Sequence, residues 1–126
     1  MTDPDKPPSH KPLRIALVGP CASGKSTLAH VLKAAGFAVR QPAQEHSFAP
    51  DMWQRMSKPD VLIFLDVDYA HFQQRRPKND AGPDYLAEQQ RRLAHARWHC
   101  DFLVDTSQLT KGEVETAVFH FLQQFN

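Results

Sequence analysis

Residues 14–32 read RIALVGPCASGKSTLAHVL. Apolar residues from Ile15 to Val18 break into a loop of small residues, and apolar positions resume at Leu28, Val31, Leu32 and Ala35 with the spacing of one helix face. A buried strand that feeds a helix through so tight a loop is a β-loop-α unit, with Gly36 as its C-terminal stop. The chain has 126 residues, enough for one hydrophobic core and too few for two ordinary domains, so everything else must be built onto this unit.

The remaining pattern supplies the partners. FAVRQ reads as a short second strand, and a helical turn or two follows around PDMWQRM. DVLIFLDV, residues 60–67, is too short for a typical helix and rich in β-branched and aromatic residues, which predicts a strand buried on both faces. A short helix follows over 69–75, and RPKNDAGP, with Pro, Asn, Asp and Gly together, is a loop. DYLAEQQRRLAHARWHC is a charged helix opened by Pro83, and DFLVDT is the fourth strand. The last helix carries a capping box at Thr110 and Glu113, a staple pair at Leu109 and Val114, and helical spacing through Val114, Ala117, Val118, Phe121, Leu122 and Phe125. Strands alternating with helices predict an α/β fold, a three-layer α/β/α arrangement on a reduced parallel sheet of about four strands. Its domain covers 13–126, after a flexible lead-in over 1–12 that holds four of the ten prolines. Ligands in such sheets bind beyond the carboxyl ends of the strands, which brings Gly19, 41–45, 66–68 and 105–108 to one rim.

Composition narrows the partners. Fifteen Lys and Arg against fourteen Asp and Glu leave a net charge of +1, without the broad basic field of a general nucleic-acid binder. No apolar run approaches the ~20 residues needed to span a bilayer, and 1–12 have no signal-peptide core, so the expected location is cytoplasmic, away from membranes. Cys21 and Cys100 lack CxxC spacing and are expected to be reduced thiols.

Gly19 to Ser26 match G-x-x-x-x-G-K-[ST] at every specified position, between a predicted strand and a predicted helix. Gly19 and Gly24 let the backbone curl so that the N–H groups of the loop, Ala22 and Ser23 among them, face an anion, and the helix N-terminus adds about half a positive charge there. Lys25 can reach the β- and γ-phosphates, the Ser26 hydroxyl can ligate Mg²⁺, and Thr27 faces the α-phosphate side.

With these residues the sequence resembles the P-loop NTPases, and within them the kinase branch that includes thymidylate and adenylate kinases. The resemblance extends over most of 13–125: PDVLIFLDVD is similar to the strand preceding a lid, QQRRPKNDAGPDYLAEQQRRLAHAR to a short basic lid near 75–84 with its returning helix, and DFLVDTSQLTKGEVETAVFHFL to the final strand and helix. It implies ATP as the nucleotide, since PKND has the letters of a guanine-recognition motif in the wrong order. It also implies that adenine lies between Arg75 or Arg76 and the segment 105–109. Arg75, Arg76, Lys78, Arg91 and Arg92 cluster around the lid, and Arg76 and Arg92 are the preferred pair to neutralise a moving phosphoryl group, although a solvated charged face accounts for such a run equally well.

Two carboxylates compete for Mg²⁺ or for the base. Asp66 ends an apolar strand in Walker B fashion, but in the kinase branch that acid sits on a strand between the second strand and this one, and no such strand is evident here. If the second strand takes the vacant place beside the first, Glu45 is delivered near the γ-phosphate.

His95, His99 and Cys100 have a zinc-like spacing without a fourth ligand, Trp53, Met52 and Met56 suit either an acceptor pocket or the core, and Cys21 stands inside the phosphate loop. The expected function is a small ATP- and Mg²⁺-dependent kinase acting on a small-molecule acceptor. The alternative is a nucleotide-binding regulatory module or weak ATPase lacking an acceptor site, because only 37–60 remain to recognise an acceptor. A reduced sheet also leaves completion by a homodimer open.

Overall fold

The computed structural model describes residues 12–76 and 82–125. Nearly all of the expected lead-in, and the centre of the expected lid with Lys78, lie outside the described residues. Four strands, β1 (Arg14–Val18), β2 (Ala38–Arg40), β3 (Val61–Asp66) and β4 (Phe102–Asp105), form one all-parallel sheet in the order β2-β1-β3-β4. Five helices accompany them: α1 (Lys25–Ala34), α2 (Met52–Ser57), α3 (Tyr69–Arg75), α4 (Pro83–His99) and α5 (Lys111–Leu122).

The period-2 alternation of β1 and β3 sorts their residues between two cores. Ile15, Leu17, Ile63 and Leu65 pack with Leu28 and Leu32 of α1 and with Val114, Val118 and Leu122 of α5. The intervening Ala16, Val18, Leu62 and Phe64 face the other way, onto Trp53 of α2 and Leu93 and Ala96 of α4. Apolar side chains on both faces explain why these strands read as unbroken apolar runs. Leu17 is fully buried, and Leu17→Ala would cost about 2–5 kcal/mol.

Two aspartates start the strands in the same way. The Asp60 amide donates to the Arg14 carbonyl while its carboxylate accepts from the Arg14 amide, and Asp101 makes the same reciprocal pair with Leu62. Each clamp sets the register of β3 on β1, or of β4 on β3, at the strand entry.

Two helix faces differ from expectation. In α1 the buried residues are Leu28, Ala29 and Leu32, while Ala35 is exposed, because it is the C-cap and the chain turns away at Gly36. At the other end Phe125 lies beyond α5 in the 3₁₀ turn Gln123–Phe125 and is 44% exposed, its ring meeting Phe121 edge-on. The capping box of Thr110 and Glu113 forms with both of its hydrogen bonds.

What positions the site is the place of β2. It pairs with β1, Ile15 opposite Val39, so the chain leaving Arg40 runs beside the first turn of α1, where Gln41 accepts from Ser26.

Candidate functional site

The loop between β1 and α1 is pressed against β3. A Cβ on Gly19 would stand 2.1 Å from the Leu65 carbonyl oxygen, so only glycine fits there. Ala22 takes a left-handed conformation at φ 64°, and its carbonyl accepts from Arg75 Nη1 at 2.8 Å. Gly24, at φ 99°, then opens α1, whose first turn has neither an acidic residue nor a side-chain cap. The amides of that turn keep their positive end without a side-chain acceptor.

Lys25 folds back over the loop. Its ammonium donates to the carbonyl of Gly19, to that of Pro20 at 3.2 Å, and to Glu45 Oε2 at 2.6 Å. Glu45 sits in the 3₁₀ turn Gln44–His46, which is fixed by a fully buried glutamine. Gln44 donates to the carbonyls of Ala49 and Arg92 and accepts from the Trp53 amide, satisfying its side chain from three segments. Nearby, the exposed Ser26 hydroxyl donates to Gln41 Oε1 at 3.2 Å.

Among the described residues three buried side-chain polar atoms have no hydrogen-bond partner: Ser23 Oγ, Glu45 Oε1 and Arg76 Nη1. All three residues line one cavity of about 440 Å³ over the loop, together with Lys25, Ser26 and Thr27. An unsatisfied buried polar group costs about 1–3 kcal/mol, and more when charged, so three around one cavity mark a place built for a polar ligand. Arg76 is held there by its guanidinium resting over the rings of Phe72 and Tyr85.

A second cavity of about 350 Å³ adjoins the first through Ser23, Gly24 and Thr27, and is bordered by Arg75, Thr106 and Leu109. Arg75 ties its walls together, donating to Ala22 on one side and to the hydroxyl and carbonyl of Thr106 on the other. The buried Thr106 hydroxyl lies 3.0 Å from the carbonyl oxygens of both Ser23 and Asp66. On the same rim, the hydroxyl and amide of Ser107 hold the Asp105 carboxyl below the usual carboxylate range.

Other candidates are engaged elsewhere. Asp66 pairs with Arg97 at 2.6 Å and accepts from the Val67 amide; Arg92 bonds Glu88 at 3.2 Å and lies over the Phe48 ring. Neither Asp66 nor Arg92 lines either cavity. Arg91 likewise pairs with Glu88. Trp53 belongs to the core, its indole N–H donating to His95 Nδ1, while Met56 is 71% exposed. His95 and His99 lie side by side with ring centroids 4.3 Å apart and ring planes tilted by 40°, and the Cys100 thiol donates to the Arg97 carbonyl. Among the described residues the group able to hold a metal is instead Cys21, Glu45 and His46, whose ligand atoms lie within 4.8 Å of one another.

Gln44 and Thr106 fall within the rim segments 41–45 and 105–108 that the sequence brings together, whereas Gln89 and Arg97 were not singled out. Gln89 had a signal: it shares the buried face of α4 with Leu86, Leu93 and Ala96, a polar side chain at an apolar position. It accepts from the Cys21 amide at 2.9 Å, tying α4 to the loop. Among the described residues no helix is long and apolar enough to cross a membrane. Compared with known proteins, the chain matches no protein-family model and no curated protein.

Proposed function

We propose that the chain binds ATP with Mg²⁺ on the loop from Gly19 to Ser26 and transfers the γ-phosphoryl group to a small-molecule acceptor. The observation that carries this reading is the convergence of Ser23 Oγ, Glu45 Oε1 and Arg76 Nη1, all buried and unpartnered, on the cavity over that loop. The loop amides and the uncapped α1 N-terminus bind the phosphates, and Lys25 exchanges its contacts with the Gly19 and Pro20 carbonyls for phosphate oxygens. Arg76 supplies positive charge where it develops on the transferring group. Thr27, Arg75 and the 106–109 segment border the neighbouring cavity and hold the base. Ser26 Oγ and the free oxygen of Glu45 fit Mg²⁺ as hard oxygen donors, and Mg²⁺ when bound neutralises charge on the β- and γ-phosphoryl oxygens. Glu45 then orients the acceptor hydroxyl or phosphate, a role its turn is rigid enough to serve. Two free thiols fit a cytoplasmic location.

One observation favours a nucleotide-binding module without transfer: Trp53, the large side chain available to an acceptor pocket, is packed in the core. Assaying Mg²⁺-dependent ATP turnover against nucleosides, nucleotides and small phosphorylated metabolites, for wild type and Lys25→Ala, separates the two. Lys25-dependent transfer to one acceptor class is expected; nucleotide binding by wild type without transfer to any acceptor would overturn the kinase reading.

A further inference from the structure

Beyond phosphoryl transfer, we infer that Cys21, Glu45 and His46 form a binding site for a thiophilic divalent cation of the Zn²⁺ class, with three protein ligands and one open position. Cys21 Sγ and His46 Nε2 are 3.6 Å apart. That is the edge of a tetrahedron built with Zn–S of ~2.3 Å and Zn–N of ~2.0 Å, about 3.5 Å. A Glu45 carboxylate oxygen completes the triangle, all three ligand atoms lying within 4.8 Å of one another.

A second observation points to a cation, and it makes this a site of the nucleotide-free chain, since the same Glu45 oxygen is the one assigned to Mg²⁺ when nucleotide is bound. The Glu45 side chain is 8% exposed, Oε2 is taken by Lys25, and Oε1 has no partner. A carboxylate oxygen held in that state is an acceptor awaiting a cation. The donors are also braced. Gln89 is 2% exposed and grips Cys21 twice, accepting from its amide and donating from Nε2 to the sulfur at 3.3 Å. Glu45 and His46 are neighbours in the 3₁₀ turn that Gln44 anchors. Such outer hydrogen bonds orient metal ligands.

The donor set selects the metal. Thiolate with imidazole suits Zn²⁺ and Co²⁺ over Mg²⁺ and Ca²⁺, and a three-ligand set leaves one coordination position to water. Binding forms the S–metal bond as the Cys21 thiol releases its proton to solvent, without change of oxidation state. His46 is exposed and Cys21 half-buried, so an ion reaches the site from solvent.

The test uses the full chain without a histidine tag, free of nucleotide, titrated with Co²⁺ and then Zn²⁺. One equivalent of Co²⁺ should give a thiolate-to-cobalt charge-transfer band that Zn²⁺ displaces. Cys21→Ser should abolish the band, while His46→Ala and Glu45→Gln weaken binding by about tenfold or more, the scale seen even for loss of an outer hydrogen bond. Cys100→Ser should retain the band, because Cys100 donates to the Arg97 carbonyl and takes no part in the site. A wild type without the band, or a band that survives Cys21→Ser, overturns the inference. A measurement that needs no variant runs alongside: Zn²⁺ should slow alkylation of Cys21 and leave Cys100 unaffected, and equal protection of both thiols, or of neither, overturns it.

Discussion

Lys25 Nζ and Glu45 Oε2 are 2.6 Å apart, with side chains only 11% and 8% exposed. Removing one member of a buried ion pair strands the other charge, at a cost of about 3–5 kcal/mol, whereas removing both costs much less. Glu45→Ala and Lys25→Ala should therefore each lower stability, and the double variant should lose less than the sum, with a coupling energy of at least ~1 kcal/mol. Glu45→Gln should fall in between, because its amide oxygen still accepts from Lys25. Urea unfolding at neutral pH measures all four. Additive losses would show that the contact contributes no coupling.

Gly19 and Gly24 are both invariant positions of the loop motif, yet they should respond differently to alanine. At Gly19 the new Cβ would stand 2.1 Å from a β3 carbonyl, so the loop must lift off the sheet. At Gly24 nothing lies within 4 Å and only the positive φ of 99° opposes the change. Gly24→Ala should cost about 1–2 kcal/mol and Gly19→Ala about 3 kcal/mol or more, read as shifts in the urea midpoint.

The contrast between these glycines shows how far the sequence could be read. The motif marks both as glycine, but the collision with Leu65 exists only once β3 is laid beside β1. Patterns internal to one element were legible: the unbroken apolar runs of β1 and β3, buried on both faces, and the capping box of Thr110 and Glu113 depend on near neighbours. Glu45 was legible conditionally, since its approach to Lys25 follows from β2 pairing with β1. Where sequence patterns fell short, side chains made choices across the fold. Nothing local tells Asp66 to turn to Arg97 on α4, or Arg92 to lie over Phe48.

Arg76 and Arg92 should accordingly separate in binding. Arg76 lines the loop cavity with Nη1 unpartnered, while Arg92 is occupied by Glu88 and Phe48. A hydrogen bond to a charged group contributes about 1.5–3 kcal/mol, so Arg76→Ala should weaken ATP by about tenfold or more in titration calorimetry. Arg92→Ala should change it by no more than roughly twofold, since the contact Arg92 makes to Gln44 uses its backbone carbonyl. Equal losses at the two positions would remove the assignment of Arg76 to the phosphates.

Acid should selectively remove the clamp at the entry of β3. The Arg14 side chain, and then its amide, hold the Asp60 carboxyl below its ordinary value of 3.8. A carboxyl with a lower value in the folded state than in the unfolded one stabilises the fold fully above the unfolded value, and that contribution is lost as pH falls through the folded one. Asp60→Asn should therefore be less stable than wild type at pH 7 and at pH 5, and the gap should close below about pH 4. Both partners are largely solvent-exposed, at 54% and 42% of their side chains, so screening limits the gap to about 1 kcal/mol or less. Added salt should narrow it further at pH 7, while the backbone half of the clamp, the Asp60 amide on the Arg14 carbonyl, persists in the variant. Thermal unfolding of both proteins from pH 2 to 7 checks the sign, and a gap that widens toward acid would refute the assignment of the clamp to the ionised carboxylate.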